Sequence, residues 1–135
     1  MLVKRWCEHT TKADIVIGRD IPSPAFARLL AHIMIIEPID DDRDALVRLA
    51  GTAIRARYGA EASGKHLSDL YAPLVLQQHL AQLRCVRSSA EPLILEVTIP
   101  REDAVPLVFD KVIFRALARD QAQMWNVVGV FVRNV

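Results

Sequence analysis

The sequence predicts a single α+β domain built on a five-stranded antiparallel sheet. Three observations support this prediction. The chain has 135 residues, of which 52% are hydrophobic and 24% charged, which is enough to bury one core and typical of a globular domain. Short apolar runs have the composition of strands, whereas one longer segment has the spacing of an amphipathic helix. A short helix comes first, two strands and then further helices follow, and three strands end the chain, an order typical of α+β folds.

The first half of the chain contains a short helix and a predicted strand hairpin. Ser23 and Pro24 predict a helix start before Leu30, because serine caps helices and proline fits their first turn. The β-branched run of residues 32–39 predicts the first strand. A group of aspartates then turns the chain, and residues 46–50 return as the second strand.

Helices are predicted for the middle of the chain. Thr52 can cap a short helix that ends at Gly59, residues 68–69 can cap a further turn, and Pro73 begins a longer helix. The longer helix has an apolar stripe at helical spacing, formed by Leu76, Leu80, Leu83 and Val86. We therefore expect this stripe to face the core.

Three strands are predicted for the last third of the chain. Residues 93–99 alternate between apolar and polar types, which predicts a half-buried strand, and residues 109–119 and 124–133 predict a hairpin. The strands at 32–39 and 124–133 are apolar on both faces. Since an antiparallel strand usually leaves one face in water, we expect these two strands to lie side by side at the centre of a sheet covered on both sides.

Charge and composition exclude several classes of protein. Seventeen Lys and Arg against sixteen Asp and Glu give a net charge of +1, too small to favour general binding to nucleic acid or to a membrane surface. No apolar run approaches the roughly 20 residues that cross a bilayer, and residues 1–11 do not resemble a signal peptide. Cys7 and Cys85 match no metal or redox spacing. We therefore expect a cytoplasmic protein with reduced thiols.

Local residues add a family resemblance to this pattern. The relevant segments are Trp6, Arg19-Asp20-Ile21-Pro22, Arg48-Leu49-Ala50-Gly51-Thr52, Gly59 and the stretch from Ser63 to Leu67. Together with the order of strands and helices, they resemble the small single-domain bacterial members of the PAS domain family over roughly residues 6–133. In the last fifty or so residues the resemblance depends on the strand pattern more than on individual residues.

The resemblance implies a PAS-like five-stranded antiparallel sheet of order 2-1-5-4-3 with helices forming a pocket on one face. We assign residues 1–30 to an N-terminal segment with a short helix, and residues 31–135 to the PAS-like domain. The outer sheet face then needs cover, which we expect from the segment of residues 3–21 and from a second subunit in a homodimer. The resemblance also implies a sensory module, not an enzyme, that binds a small apolar ligand or a protein partner and signals to another protein in trans.

Candidate pocket residues follow from the helix stripe and from strand parity. They are Leu76, His79, Leu80, Leu83, Leu95, Val97 and Phe114. In haem-binding PAS sensors the axial ligand comes from the helix that here contains His79, although a lone histidine beside an apolar stripe is more often a packed residue. The four histidines show no metal-ligand spacing, and no nucleophile or phosphate-loop motif is present. The sequence thus predicts no metal site, and it leaves the identity of any cofactor open.

Two alternatives remain open at this point. A small α+β enzyme of isomerase type would need one carboxylate buried in its pocket, and Glu96 is the candidate. The simpler interpretation of Glu96 is an ion pair across the sheet with a neighbour such as Arg115. The strand hairpin ahead of most of the helices favours the PAS interpretation over the enzyme. The second alternative is a scaffolding domain with a filled interior and no ligand.

Overall fold

The computed structural model describes residues 15–17, 19, 29–58, 61–118 and 123–133. A 3₁₀ turn at Leu30–His32 precedes the main strands. The strands are β1 (Ile15–Val16), β2 (Ile33–Ile39), β3 (Asp44–Ala50), β4 (Leu93–Ile99), β5 (Leu107–Leu117) and β6 (Met124–Val132). The helices are α1 (Thr52–Tyr58), α2 (Leu67–Leu70) and α3 (Pro73–Ser89). The predicted helix before Leu30 lies outside the described residues, apart from residues 29–30.

The strands form one mixed sheet of six strands. The five longer ones pair antiparallel in the spatial order β3-β2-β6-β5-β4. The short strand β1 pairs in parallel with β5, with Ile15 opposite Ala116. This pairing lies beyond the point at which Leu93, the first residue of β4, pairs with β5. The α+β class is therefore confirmed, whereas the predicted five-stranded, fully antiparallel sheet is corrected by a sixth strand. A pair of apolar residues is too short to give a strand signal in the sequence.

The prediction that the two doubly apolar strands meet at the centre is confirmed. β2 pairs with β6 over the register from Ile33 opposite Gly129 to Ile36 opposite Asn126. Residues 33–36 are all buried, as are residues 126–130. Strand β5 is also buried on both faces between residues 111 and 114. Strands β3 and β4, which carry polar residues on one side, lie at the margins of the sheet.

Helix α3 packs on one face of the sheet, which we call the helix face. Its four-residue stripe is buried there, as the spacing predicts, in a cluster that includes Met34, Ile36, Ile113 and Val128. Burying each such aliphatic side chain contributes about 1.5 to 3 kcal/mol relative to leaving it exposed. The helix therefore depends for its stability on this face rather than on intrinsic propensity.

The opposite side of the sheet, which we call the outer face, has a buried cluster of its own. It consists of Ile15, Leu29, Ile33, Ile35, Val112, Phe114, Ala116 and Val127. The predicted cover over residues 3–21 falls within the described part of the chain only at residues 15–17 and 19, and of these Ile15 belongs to the outer cluster. The division into residues 1–30 and 31–135 stays a prediction. Among the described residues, no helix is long and apolar enough to span a membrane.

Candidate ligand-binding site

A cavity of about 440 Å³ lies between α3, the neighbouring α2 segment and the helix face of the sheet. Its volume falls within the roughly 300–1,000 Å³ of small-molecule sites. The described residues that line it are Met34, Ile36, Leu67, Tyr71, Gln78, His79, Gln82, Leu83, Leu95, Val97, Ile99, Phe109, Lys111, Val128 and Val130. Most of these side chains are aliphatic or aromatic, so the cavity can hold an apolar molecule.

The alternation of the strands decides which side chains reach the cavity. On β4, Leu95 and Val97 line it, whereas Ile94, next to Leu95 on the other side of the strand, is exposed. On β5, Phe109 and Lys111 share the cavity side with Ile113 of the helix-face core, and the residues between them face outward. The sheet therefore contributes an apolar wall with one charged side chain in it.

The polar corner of the cavity is built around Lys111. This lysine is only 9% exposed. Its Nζ lies 2.7 Å from Nδ1 of His79 and donates a hydrogen bond of 3.1 Å to Oε1 of Gln82, both on α3. Burial lowers the pKa of the Lys111 ammonium to about 8. Lysine at this position is therefore charged at neutral pH but close to its titration range.

His79 is held as a neutral imidazole. Burial, and secondarily the charge of Lys111, lower the pKa of His79 to about 4. Nδ1 then accepts a hydrogen bond from the lysine, and the ring lies against Tyr71 with a centroid separation of 4.3 Å. At neutral pH the corner thus contains one positive charge, located on Lys111. In the described part of the chain, no three His, Cys, Asp or Glu side chains cluster as metal ligands would.

Four of the seven predicted pocket residues line the cavity: His79, Leu83, Leu95 and Val97. Leu76 and Leu80 pack in the helix-face core instead, further along the same stripe. Phe114 lies on the outer face, in the other cluster, so its assignment to the pocket is corrected. The cause is the composition of β5, which is apolar on both faces, so that alternation does not indicate which parity faces the helix.

Three residues that give the cavity its polarity were not predicted from the sequence. Lys111, Gln82 and Tyr71 all line it. Lys111 could have been noticed, because a lysine between Phe109 and Ile113 shares a strand face with two large apolar residues. Gln82 and Tyr71 carried no comparable signal, since polar and amphipathic residues commonly flank the apolar stripe of a helix.

Glu96 is not the buried carboxylate that the enzyme alternative requires. Its side chain is 57% exposed and pairs with Arg133, whose Nη1 lies 2.8 Å from Oε2. The predicted partner Arg115 is wrong: that guanidinium donates to the carbonyl of Arg87 on the helix face, at 3.2 Å. The register explains this result, because Glu96 lies opposite Asp110 on the outer side, and Arg133 bridges both carboxylates.

A second polar group joins the C-terminal end of α3 to the sheet. Asn126 is fully buried, and its Oδ1 accepts a hydrogen bond of 2.6 Å from Nη1 of Arg87. Nη2 of Arg87 lies 2.7 Å from Oδ1 of Asp42. Asp42 belongs to the β2–β3 turn, where residues 40–42 all have positive φ, of 54°, 53° and 64°. Aspartate tolerates this conformation, so the turn brings a carboxylate to the end of α3.

The architecture places the protein in a class of α+β domains. Its sheet is antiparallel apart from β1, helices cover one face, and a cavity of ligand size lies between the helices and the sheet. The family model of the PAS domain matches residues 1–132. The chain therefore belongs to the PAS domain family, whose members are generally sensory and signalling modules. No curated protein matches the chain.

Proposed function

We propose that this PAS domain is a sensory module that binds a small, largely apolar molecule in the cavity between α3 and the sheet. The observation that supports this function is the cavity itself, about 440 Å³ in size and lined mainly by apolar side chains. Protein cores are normally packed without voids of this size, and empty apolar space lowers stability. A bound molecule would restore those contacts. The same observation speaks against a scaffolding domain with a filled interior.

Helix α3 offers a route by which occupancy could reach another protein. Gln78, His79, Gln82 and Leu83 on this helix line the cavity. One turn beyond Leu83, Arg87 connects the helix to Asp42 in the β2–β3 turn and to Asn126 in β6. We propose that a ligand shifts α3 between two packings, and that this change is transmitted through Arg87 to a surface read by a signalling partner in trans.

Occupancy can be tested with two tryptophan variants of the same strand. Val97 lines the cavity, whereas Thr98, which is nearly the same size, is exposed on the other side of β4. We expect Val97→Trp to occupy part of the cavity and to reduce ligand retention strongly, and Thr98→Trp to retain ligand as the wild type does. The measurement is native mass spectrometry of protein purified from its host, looking for a retained small molecule.

Two results of this comparison would count against the proposed function. One is equal retention of the molecule by Val97→Trp and the wild type, which would place it elsewhere. The other is the absence of any added mass in all three proteins, together with no heat of binding when the wild type is titrated with 1-octanol. The circular dichroism spectrum of each variant shows whether the fold is kept.

We propose further that the protein acts as a homodimer in the cytoplasm. PAS domains often mediate protein interaction or dimerisation, and Leu74 and Val75 at the start of α3 are exposed apolar residues, at 82% and 40%. The exposed free thiol of Cys85 supports a reducing compartment. Equilibrium sedimentation at tens of micromolar, about the range in which weak interfaces associate, is expected to show dimer. Monomer alone at these concentrations contradicts the homodimer.

A further inference from the structure

Lys111 is a buried cation without a described counter-charge. Its two hydrogen-bond partners are the imidazole of His79, at 2.7 Å, and the amide oxygen of Gln82, at 3.1 Å. Both groups are neutral at pH 7. Among the described residues that line the cavity, none is an aspartate or a glutamate.

Such an arrangement costs stability in the empty protein. A charge removed from water without a partner of opposite sign loses hydration that neutral hydrogen bonds only partly replace. The Lys111 side chain nevertheless lies on the cavity wall, where an aliphatic side chain would carry no such desolvation cost. The structure therefore places a single positive charge where a molecule inside the cavity could neutralise it.

We propose, on the basis of the ligand-binding function above, that the cavity selects an aliphatic monocarboxylate, whose carboxylate pairs with Lys111 and whose chain lies along the apolar wall. One cation matches one negative charge. A phosphate monoester would bring a second charge that remains unpaired among Leu95, Val97 and Val130. The side-chain amides of Gln78 and Gln82 provide additional hydrogen-bond donors for a carboxylate oxygen.

The proposal implies a defined pH dependence. With a pKa of about 8 in the free protein, Lys111 loses its charge between pH 7 and pH 9. A carboxylate binds well only when Lys111 is protonated. Affinity for the carboxylate is therefore expected to fall about tenfold from pH 7 to pH 9. His79, with its pKa of about 4, stays neutral over this range. Tyr71 also lines the cavity, whereas β2, β4 and β6 present only apolar side chains there.

The test compares three probes of equal chain length by isothermal titration calorimetry: octanoate, 1-octanol and octyl phosphate. Octanoate is expected to bind the wild type about tenfold or more tightly than either of the others at pH 7. Its affinity should fall as the pH rises to 9, and Tyr71→Phe should keep that dependence. The affinity for 1-octanol should not change with pH.

Lys111→Met is the decisive variant, because methionine keeps nearly the length of the side chain and removes the charge. We expect this variant to bind octanoate about tenfold or more weakly, to lose the pH dependence, and to bind 1-octanol at least as well as the wild type. Its melting temperature should rise, since a buried charge is removed. Lys65→Met is the matched control, because it makes the same change of net charge at an exposed lysine and should leave octanoate binding unchanged.

Each outcome separates this inference from the function on which it depends. If 1-octanol binds as tightly as octanoate and Lys111→Met changes neither, the cavity is an apolar site and the carboxylate assignment is wrong. Tighter binding of octyl phosphate than of octanoate also overturns it. If none of the three probes binds the wild type, the carboxylate assignment is wrong, and if native mass spectrometry also shows no retained molecule, the proposed ligand-binding function itself fails.

Discussion

Replacing Gly51 with alanine is expected to lower the free energy of unfolding by about 3 kcal/mol or more. A Cβ atom at this position would overlap the carbonyl oxygen of Leu30 and the backbone carbonyl of Ala31. The backbone cannot easily move away, because the Gly51 amide donates to the carbonyl of Ile33 at 2.9 Å and its own carbonyl accepts from Ile54 at 3.1 Å. Gly51 is thus fixed between the 3₁₀ turn and β2 on one side and the start of α1 on the other.

Urea denaturation followed by circular dichroism measures this effect. The matched control is Gly64→Ala, because Gly64 has a φ of +83° and a Cβ atom added there would have nothing within 4 Å. We expect this control to cost about 1 kcal/mol, from the left-handed conformation alone. A Gly51→Ala protein whose stability lies within that same margin of the wild type would contradict the steric argument.

The ends of helices and strands could be predicted where the apolar pattern and the capping residues indicate the same boundary. Helix α3 begins at Pro73 and β4 covers residues 93–99, as the sequence predicts, whereas Thr52, the predicted cap of α1, is its first helical residue. Strands β2 and β6 are each apolar on both faces, and only a strand that is covered on both sides buries both of them. This is why the two strands could be placed at the centre of the sheet. Each of these inferences depends on local signals that the fold does not override.

The candidate site was less predictable, because it depends on contacts between distant segments. Phe114 and Ile113 are both fully buried, so no apolar pattern distinguishes the cavity side of β5 from its outer side. The polar corner joins Lys111 to a histidine 32 positions earlier in the chain. Likewise, Gly51 belongs to a recognisable segment, yet its role depends on how closely Leu30 and Ala31 approach in the fold.

Asn126→Leu is expected to lower the free energy of unfolding by about 3 kcal/mol. The Asn126 side chain is fully buried, and its Nδ2 donates to the carbonyl oxygens of Leu83 at 3.2 Å and Phe114 at 3.3 Å. Its Oδ1 accepts from Arg87, whose side chain is only 12% exposed. Leucine is only moderately larger but makes none of these bonds, and it leaves a buried guanidinium with Asp42 as its remaining side-chain partner among the described residues.

A double-mutant cycle with Arg87→Met tests whether Asn126 acts through that guanidinium. If the two residues share the bond, removing both should cost less than the sum of the single losses, by about 1.5 kcal/mol or more. Additive losses in urea denaturation would mean that Asn126 stabilises only the sheet and the neighbouring carbonyl of α3. A large coupling would instead make the end of α3 and strand β6 one cooperative unit. Arg87 also pairs with Asp42, and this contact is the connection through which a ligand beside α3 could act on the β2–β3 turn.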